Sequence, residues 1–255
     1  MNRESNSRIT GATRRATLRR FLVLGVCAAA ISGFLATATV HATADAAQAH
    51  RPARALPAPV KAYGLRSAPI TMEVFTDYQC PRCREFYEDT LRQVIATYVA
   101  NGKVYLVHHD FPLDMHKYSG EAARWADACA EVGEFGAAEE ALYDNQDAWA
   151  ADGNMARYIA AAMPASDFKR ASLLVKDGQM PAPQAHGPSI DPMAGVDRPC
   201  PVDTYIAQDI KLAYQVPFDG TPGFIITYKG QRFPAVPYAV SWPVLQRLFD
   251  TLLQQ

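Results

Sequence analysis

The sequence predicts an α/β fold, a mixed central sheet assembled as βαβ and then ββα with a helical domain inserted between the halves. Three observations carry that prediction. A strand-like run, ITMEVFTDY (70–78), is followed by an amphipathic stretch and then by a second apolar run, VYLVHHDFPL (104–113), closed by proline. Strand, helix and strand in that order imply parallel pairing through a right-handed crossover. Near the C-terminus, FIITYKGQRFPAV reads as a two-stranded hairpin turning at Lys229-Gly230, and SWPVLQRLFDTLL reads as a closing helix.

Each element has its own signature. HRPARALPAPVKAYG (50–64) mixes Pro and Ala without an apolar period and is expected to be a linker or extended arm. After the first strand, Cys83, Phe86, Tyr87, Leu91, Val94, Ile95 and Tyr98 fall on one face of a helix. SGEAARWADACAEVG follows, with Ser119 as the expected N-cap and Ala122, Trp125, Ala126 and Cys129 on one face. FGAAEEALYDNQ, NMARYIAAAM and SDFKRASLLVK are further short helices separated by Gly, Asp and Pro. Residues 177–202 carry Pro181, Pro183, Pro188, Pro192, Pro199 and Pro201 and are expected to form a long surface loop. PVDTYIAQDIKLAYQV resumes a helix, FDGTPG turns the chain, and Ser241 caps the last helix with Pro243 in its first turn. The expected organisation is a signal peptide (1–49), an arm (50–66), a first half-domain (67–115), a helical insert with the proline-rich loop (116–202) and a second half-domain (203–255).

The first 49 residues differ from the rest. Arg3, Arg8, Arg14, Arg15, Arg19 and Arg20 precede the apolar run FLVLGVCAAAISGFLATATV (21–40), and a string of small residues follows it. That order is the order of a secretory signal, with Ala42-Thr43-Ala44 and Ala47-Gln48-Ala49 as cleavage choices. A retained N-terminal anchor is the alternative, since about twenty apolar residues span a bilayer. Six of the 25 basic and two of the 26 acidic residues leave with this segment, so the remainder holds 19 against 24. A mildly acidic protein is a poor partner for nucleic acid. Four cysteines remain, an even number in an extracytoplasmic compartment where disulfides persist.

Two of them stand in FTDYQCPRCREFYED (75–89), where a strand gives way to a helix. A structural zinc site needs a second ligand pair and there is no second CxxC; His108, His109 and His116 could in principle complete a site, but His108 and His109, adjacent on a strand, should face opposite ways. Arg84 stands where a covalent haem site needs His. Redox work fits better. With Pro81 in the first turn, the sulfur of Cys80 meets the unpaired N–H groups and positive end of the helix, which favours the thiolate. Cys83, one turn on, should lie on the buried side and resolve mixed disulfides. Arg82 is expected to stabilise the thiolate further, and the reduced pair with it.

On CPRC in that setting, together with YGLRSAPITMEVFTDYQ before it, HDFPLDMHKYSGEAA, the Cys129 helix and DIKLAYQVPFDGTPGFIIT, residues 63–254 resemble the thioredoxin superfamily, and within it the DsbA-like thiol–disulfide oxidoreductases. The resemblance implies a thioredoxin-like fold with Cys80 as nucleophile and Cys83 as resolving thiol. It also implies a cis bond at Thr221-Pro222 beside the pair, where Thr221 and Pro222 receive an extended substrate segment; from the residues alone Thr-Pro-Gly equally fits a type II turn. A second disulfide between Cys129 and Cys200 is implied in the same way, two separately buried thiols being the alternative. One departure stands out. Relatives carry a buried acid six residues before the first cysteine, whereas this chain has Val74 there and Glu73 one step earlier, on the other face of the strand. Asp77 is a weaker candidate, equally a plain loop acid. His116 and the tryptophans Trp125, Trp149 and Trp242 are assigned no chemical duty.

The expected function is an exported dithiol oxidase acting on thiol-containing protein substrates, reoxidised by a membrane redox partner, with no cofactor. An isomerase or reductase on the same fold is the alternative within redox chemistry. From another class, the rival is a periplasmic metallochaperone binding copper or zinc through Cys80, Cys83 and a histidine.

Overall fold

In the computed structural model, residues 61–177 and 201–255 are described. The leader, most of the arm, nearly all of the proline-rich segment and Cys200 lie outside them. Five strands form one sheet in the order β1-β3-β2-β4-β5: β1 Ala62–Tyr63, β2 Ile70–Thr76, β3 Val104–Asp110, β4 Gly223–Tyr228 and β5 Gln231–Arg232. β2 and β3 are parallel, Ile70 opposite Val104 through Thr76 opposite Asp110, and every other pairing is antiparallel. A thioredoxin-like sheet with an inserted helical region is what the sequence predicts, and the structure has it.

Central β2 has neighbours on both sides; Ile70, Met72 and Val74 are buried on one face with Thr71 and Glu73 half-buried between them, and Phe75 and Thr76 at its end are buried too. Helix α1 follows at once, α-helical over Pro81–Phe86 and Arg92–Val94 and π-helical over Tyr87–Leu91 and Ile95–Val99. The apolar period does not register these changes of pitch, because Cys83, Phe86, Tyr87, Leu91, Val94 and Tyr98 stay on the buried face throughout. Each large side chain buried there contributes about 1.5–3 kcal/mol. Phe86 stacks on Phe224 of β4 at 5.9 Å, tying the redox helix to the sheet.

The insert comprises α2 Ser119–Glu131, α3 Phe135–Asp144, α4 Gln146–Asp152, α5 Ala156–Ala162 and α6 Ala165–Asp177; α7 Pro201–Ala213 and α8 Trp242–Leu253 complete the helices. Ser119 is not the cap of α2: it is the first helical residue, and the N–H of Tyr118 before it is taken by Gln79 Oε1 at 2.6 Å. α4 is unexpected from the sequence, a short helix sharing Asn145 with the end of α3 and stopped by Gly153. The closing hairpin is also shorter than expected. Lys229 and Gly230 take the left-handed turn the sequence indicates, but Pro234 has no N–H to offer and the second strand stops at Arg232, resuming only as a bridge between Val236 and Phe224.

Residues 61–63, expected in the arm, line the sheet edge instead: the Lys61 carbonyl accepts the His108 N–H at 2.8 Å and Ala62 pairs with Val107. The Lys61 side chain is buried among Asp110 at the end of β3, Asp127 of α2 at 3.0 Å and Asp209 of α7 at 3.1 Å. Arg124 and Asp203, also buried, join α2 to α7 through contacts of 2.6 and 3.0 Å. No helix among the described residues is long and apolar enough to cross a membrane.

Candidate active site

The β2–α1 junction builds the site from backbone upward. Cys80 takes the N-cap position of α1 with extended backbone, φ −74° and ψ 121°, and Pro81 follows in the first turn, where its missing N–H costs nothing. No side chain caps this end. The sulfur of the cap residue itself lies by the N–H groups of Arg82 and Cys83, the latter also donating to the Cys80 carbonyl at 3.1 Å.

Only 6% of the Cys80 surface is exposed, and Cys83 is wholly buried. The two thiols are pushed in opposite directions. A hydrogen bond from Cys83 is the largest influence on Cys80; burial opposes it, but bonds from the Thr221 segment and the N–H groups of Cys83 and Arg82 add to it, and the thiol is lowered to about 6. Cys83 is raised well above the usual thiol range, first by burial and then by its bond to Cys80.

On the far side, the peptide Thr221-Pro222 is cis, as the resemblance implies, and the Thr221 carbonyl accepts the Cys80 S–H at 3.6 Å. Gly223 then opens β4 against the ring of Phe218; a Cβ there would lie 2.8 Å from the ring, so only glycine lets the segment come so close. Cys80, Cys83, Pro81, Arg82, Thr221 and Pro222 are thus gathered at one end of β2 and β4. Cys129 is elsewhere, buried on α2 and without a disulfide partner among the described residues; its thiol is raised to about 12 by burial, and its expected partner Cys200 lies outside them.

Arg82 requires a correction. Its guanidinium points to solvent and pairs with Glu85 at 2.9 Å, so what reaches Cys80 is its backbone N–H and not its charge. Glu73, as its strand parity requires, is turned away from the cysteines to His109 at 3.4 Å, while Val74 is buried in the core. His108 and His109 do face opposite ways, His108 to Glu139 at 2.9 Å and His109 to Asp209 at 2.7 Å. No group of three or more His, Cys, Asp or Glu able to hold a metal forms among the described residues.

Three residues of the site were not assigned to it from sequence. Asp77 donates its N–H to Cys83 Sγ at 3.4 Å and accepts the Cys80 N–H on its carbonyl at 3.0 Å. His116, on the loop after β3, contacts the Asp77 carboxylate at 2.6 Å. Gln146, at the start of α4, donates to the carbonyls of Tyr78 at 2.7 Å and Cys80 at 3.0 Å from full burial. The only sequence signal for them was the short distance of Asp77 from Cys80; His116 and Gln146 arrive from distant positions.

The family profile described as thioredoxin matches residues 59–232. Among solved structures, α-DsbA1 of Wolbachia pipientis is 19% identical, with a TM-score of 0.57 over 77% of this chain and 92% of that one. DsbA2 of Pseudomonas aeruginosa is 20% identical, with a TM-score of 0.52 over 77% and 96%. Oxidised BdbD of Bacillus subtilis is 14% identical, with a TM-score of 0.54 over 77% and 94%. At these identities the likeness concerns the fold. A curated relative, Na(+)/H(+) antiporter NhaA 3 of Salinispora tropica, is 35% identical over 85 residues, 33% of this chain but only 12% of the antiporter.

Proposed function

The chain belongs to the thioredoxin family, and we propose that within it this protein is an exported dithiol oxidase, introducing disulfides into secreted proteins through Cys80 and Cys83. The opposed tuning of the two thiols carries the reading: Cys80 is lowered to about 6 while Cys83 is held up by burial. In the oxidised pair a substrate thiolate attacks Cys80 Sγ, the Cys80–Cys83 bond breaks, and its electron pair leaves on Cys83, which takes up a proton. A second substrate thiolate attacks the substrate sulfur of the mixed disulfide and expels Cys80 as a thiolate. The substrate has lost two electrons and the pair has gained them; a membrane redox partner with an oxidising disulfide of its own takes them on.

A thiol lowered from its ordinary value near 9 to about 6 stabilises the reduced pair roughly tenfold at pH 7, about 30 mV toward an oxidant. The cis Thr221-Pro222 segment beside Cys80 supports a place for an extended substrate backbone. The order of charged, apolar and small residues in positions 1–49 supports export to the periplasm or an equivalent compartment. We keep Cys129–Cys200 as a second, structural bridge; Arg124 and Asp203 hold α2 against α7, whose first residue follows Cys200.

A glutathione titration of the Cys80–Cys83 couple, with the Cys80 pKa read from thiolate absorbance, tests the oxidase reading. The expected outcome is a pKa near 6 and a potential well above the value of about −270 mV found for thioredoxin. A potential near that value with an unshifted thiol would overturn it in favour of a reductase.

A further inference from the structure

Asp77 is the one residue that touches both cysteines and a titratable side chain at once. Its N–H donates to Cys83 Sγ at 3.4 Å and its carbonyl accepts the Cys80 N–H at 3.0 Å. Its carboxylate is wholly buried: Oδ1 accepts the Gln79 N–H at 2.8 Å, and Oδ2 accepts the Leu113 N–H at 2.9 Å and contacts His116 Nδ1 at 2.6 Å. The loop after β3 is fixed on the same node, since the His116 N–H donates to the Leu113 carbonyl at 2.9 Å and the Tyr118 N–H to Gln79 Oε1. A carboxylate in contact with an imidazole favours the imidazolium.

We infer that His116, gripped by Asp77, is the positioning residue whose positive charge faces the Cys80 thiolate, and that this pair takes the part Arg82 was expected to play. The inference rests on the oxidase reading of the same cysteines. Asp77, from the turn before α1, is in contact with His116 at 2.6 Å, and Cys80, at the start of α1, acts on it through space. Asp77 raises the pKa of His116 most, burial opposes it, and the Cys80 thiolate raises it further. Arg82, by contrast, lies in solvent, which screens its charge. His116 exchanges no proton in this role. It favours Cys80 as the sulfur that leaves when the mixed disulfide is resolved, and so favours the reduced pair.

His116→Gln keeps a hydrogen-bonding side chain and removes the charge. The Cys80 pKa should then rise by about one unit, and the equilibrium constant for reduction by glutathione should fall roughly fivefold at pH 7. His116→Lys, which restores a cation, should recover most of that loss, as a purely structural role would not. Arg82→Gln should shift the pKa less than His116→Gln. Linkage supplies a reading that needs no change at His116: in Cys80→Ser the His116 pKa, followed by NMR, should fall, because the thiolate that supports the imidazolium is gone. A folded His116→Gln protein with the wild-type Cys80 pKa, or an unmoved His116 titration in Cys80→Ser, overturns the inference. The wild-type potential tests the oxidase reading separately; these differences between variants test His116.

Discussion

The dithiol loop and the Lys61 cluster are both buried, both crowded with titratable groups and both joined by a histidine–aspartate contact, yet they are built on different terms. Around the cysteines, charge is met mostly by backbone: N–H groups of Asp77, Arg82 and Cys83 reach the sulfurs, and amides of Gln79 and Leu113 hold the Asp77 carboxylate. Two chemically identical thiols are driven apart as a result. Around Lys61, side-chain charges answer one another. Burial works against the ammonium, but Asp110, Asp127 and Asp209 keep it charged and its pKa rises. Lys61 and His109 stand against the three carboxylates; burial raises Asp110 and, further, Asp127, while Asp209 is lowered despite its burial by Lys61 and His109. A cavity of about 440 Å³ opens at this second cluster, lined by Lys61, Glu73, His109, Asp127 and Asp209 and by neither cysteine. Cavity size and perturbed titration point to Lys61; reactive chemistry points to Cys80. Perturbation marks function where it separates like groups beside a reactive atom, and marks scaffold where opposite charges balance.

The comparison breaks most sharply at Lys61. Lys61→Met removes the cation from among the three carboxylates; Asp209 keeps His109, but Asp110 and Asp127 stay buried without a cation. Breaking a buried pair in this way costs about 3–5 kcal/mol, read as a fall in the urea midpoint. The Cys80 pKa of the folded variant should stay at its wild-type value. A change in thiol acidity as large as the change in stability would mean that the two clusters are one network.

His109 sharpens it through pH. Burial alone would lower this imidazole, but Asp209 and then Glu73 raise it to about 9 from an ordinary value of 6.5. A histidine whose folded pKa is raised contributes stability that is complete below its unfolded pKa and is lost as pH rises through the folded one. Between pH 6.5 and 9 the unfolding free energy should therefore fall, by up to about 3 kcal/mol from this group. His109→Gln should lose that slope. An identical slope in the variant would assign the titration to other members of the cluster.

What the sequence showed of all this follows physical range. The succession of strands and helices, the parallel β2–β3 pair and the buried face of α1 come from local periodicity, and CPRC announces a reactive Cys80 because helix ends are local objects. Lys61 was hidden in a proline-rich arm, since its three partners come from Asp110, Asp127 and Asp209, and no window of sequence holds them together. Arg82 misled for the converse reason. Adjacency in sequence says nothing of the rotamer, and Glu85, one turn on, is the nearer charge.

Gln146 yields the smallest effect and separates the two kinds of construction within the dithiol loop itself. Its amide donates to the Tyr78 and Cys80 carbonyls on either side of Gln79, so it fixes the peptide groups that lead into α1 without touching a sulfur. Gln146→Ala leaves the buried Tyr78 carbonyl without its donor, while the Cys80 carbonyl keeps the N–H groups of Cys83 and Arg84, and should cost about 1–3 kcal/mol, toward the lower end if water enters. Because the N–H groups of Arg82 and Cys83 depend on that backbone for their aim, the Cys80 pKa should also rise, by less than the change His116→Gln produces. Denaturation and thiolate titration of the same variant measure both. A stability loss with no movement of the thiol would show that α1 holds its first turn unaided, and that Gln146 belongs with Lys61 among the residues that only hold the fold.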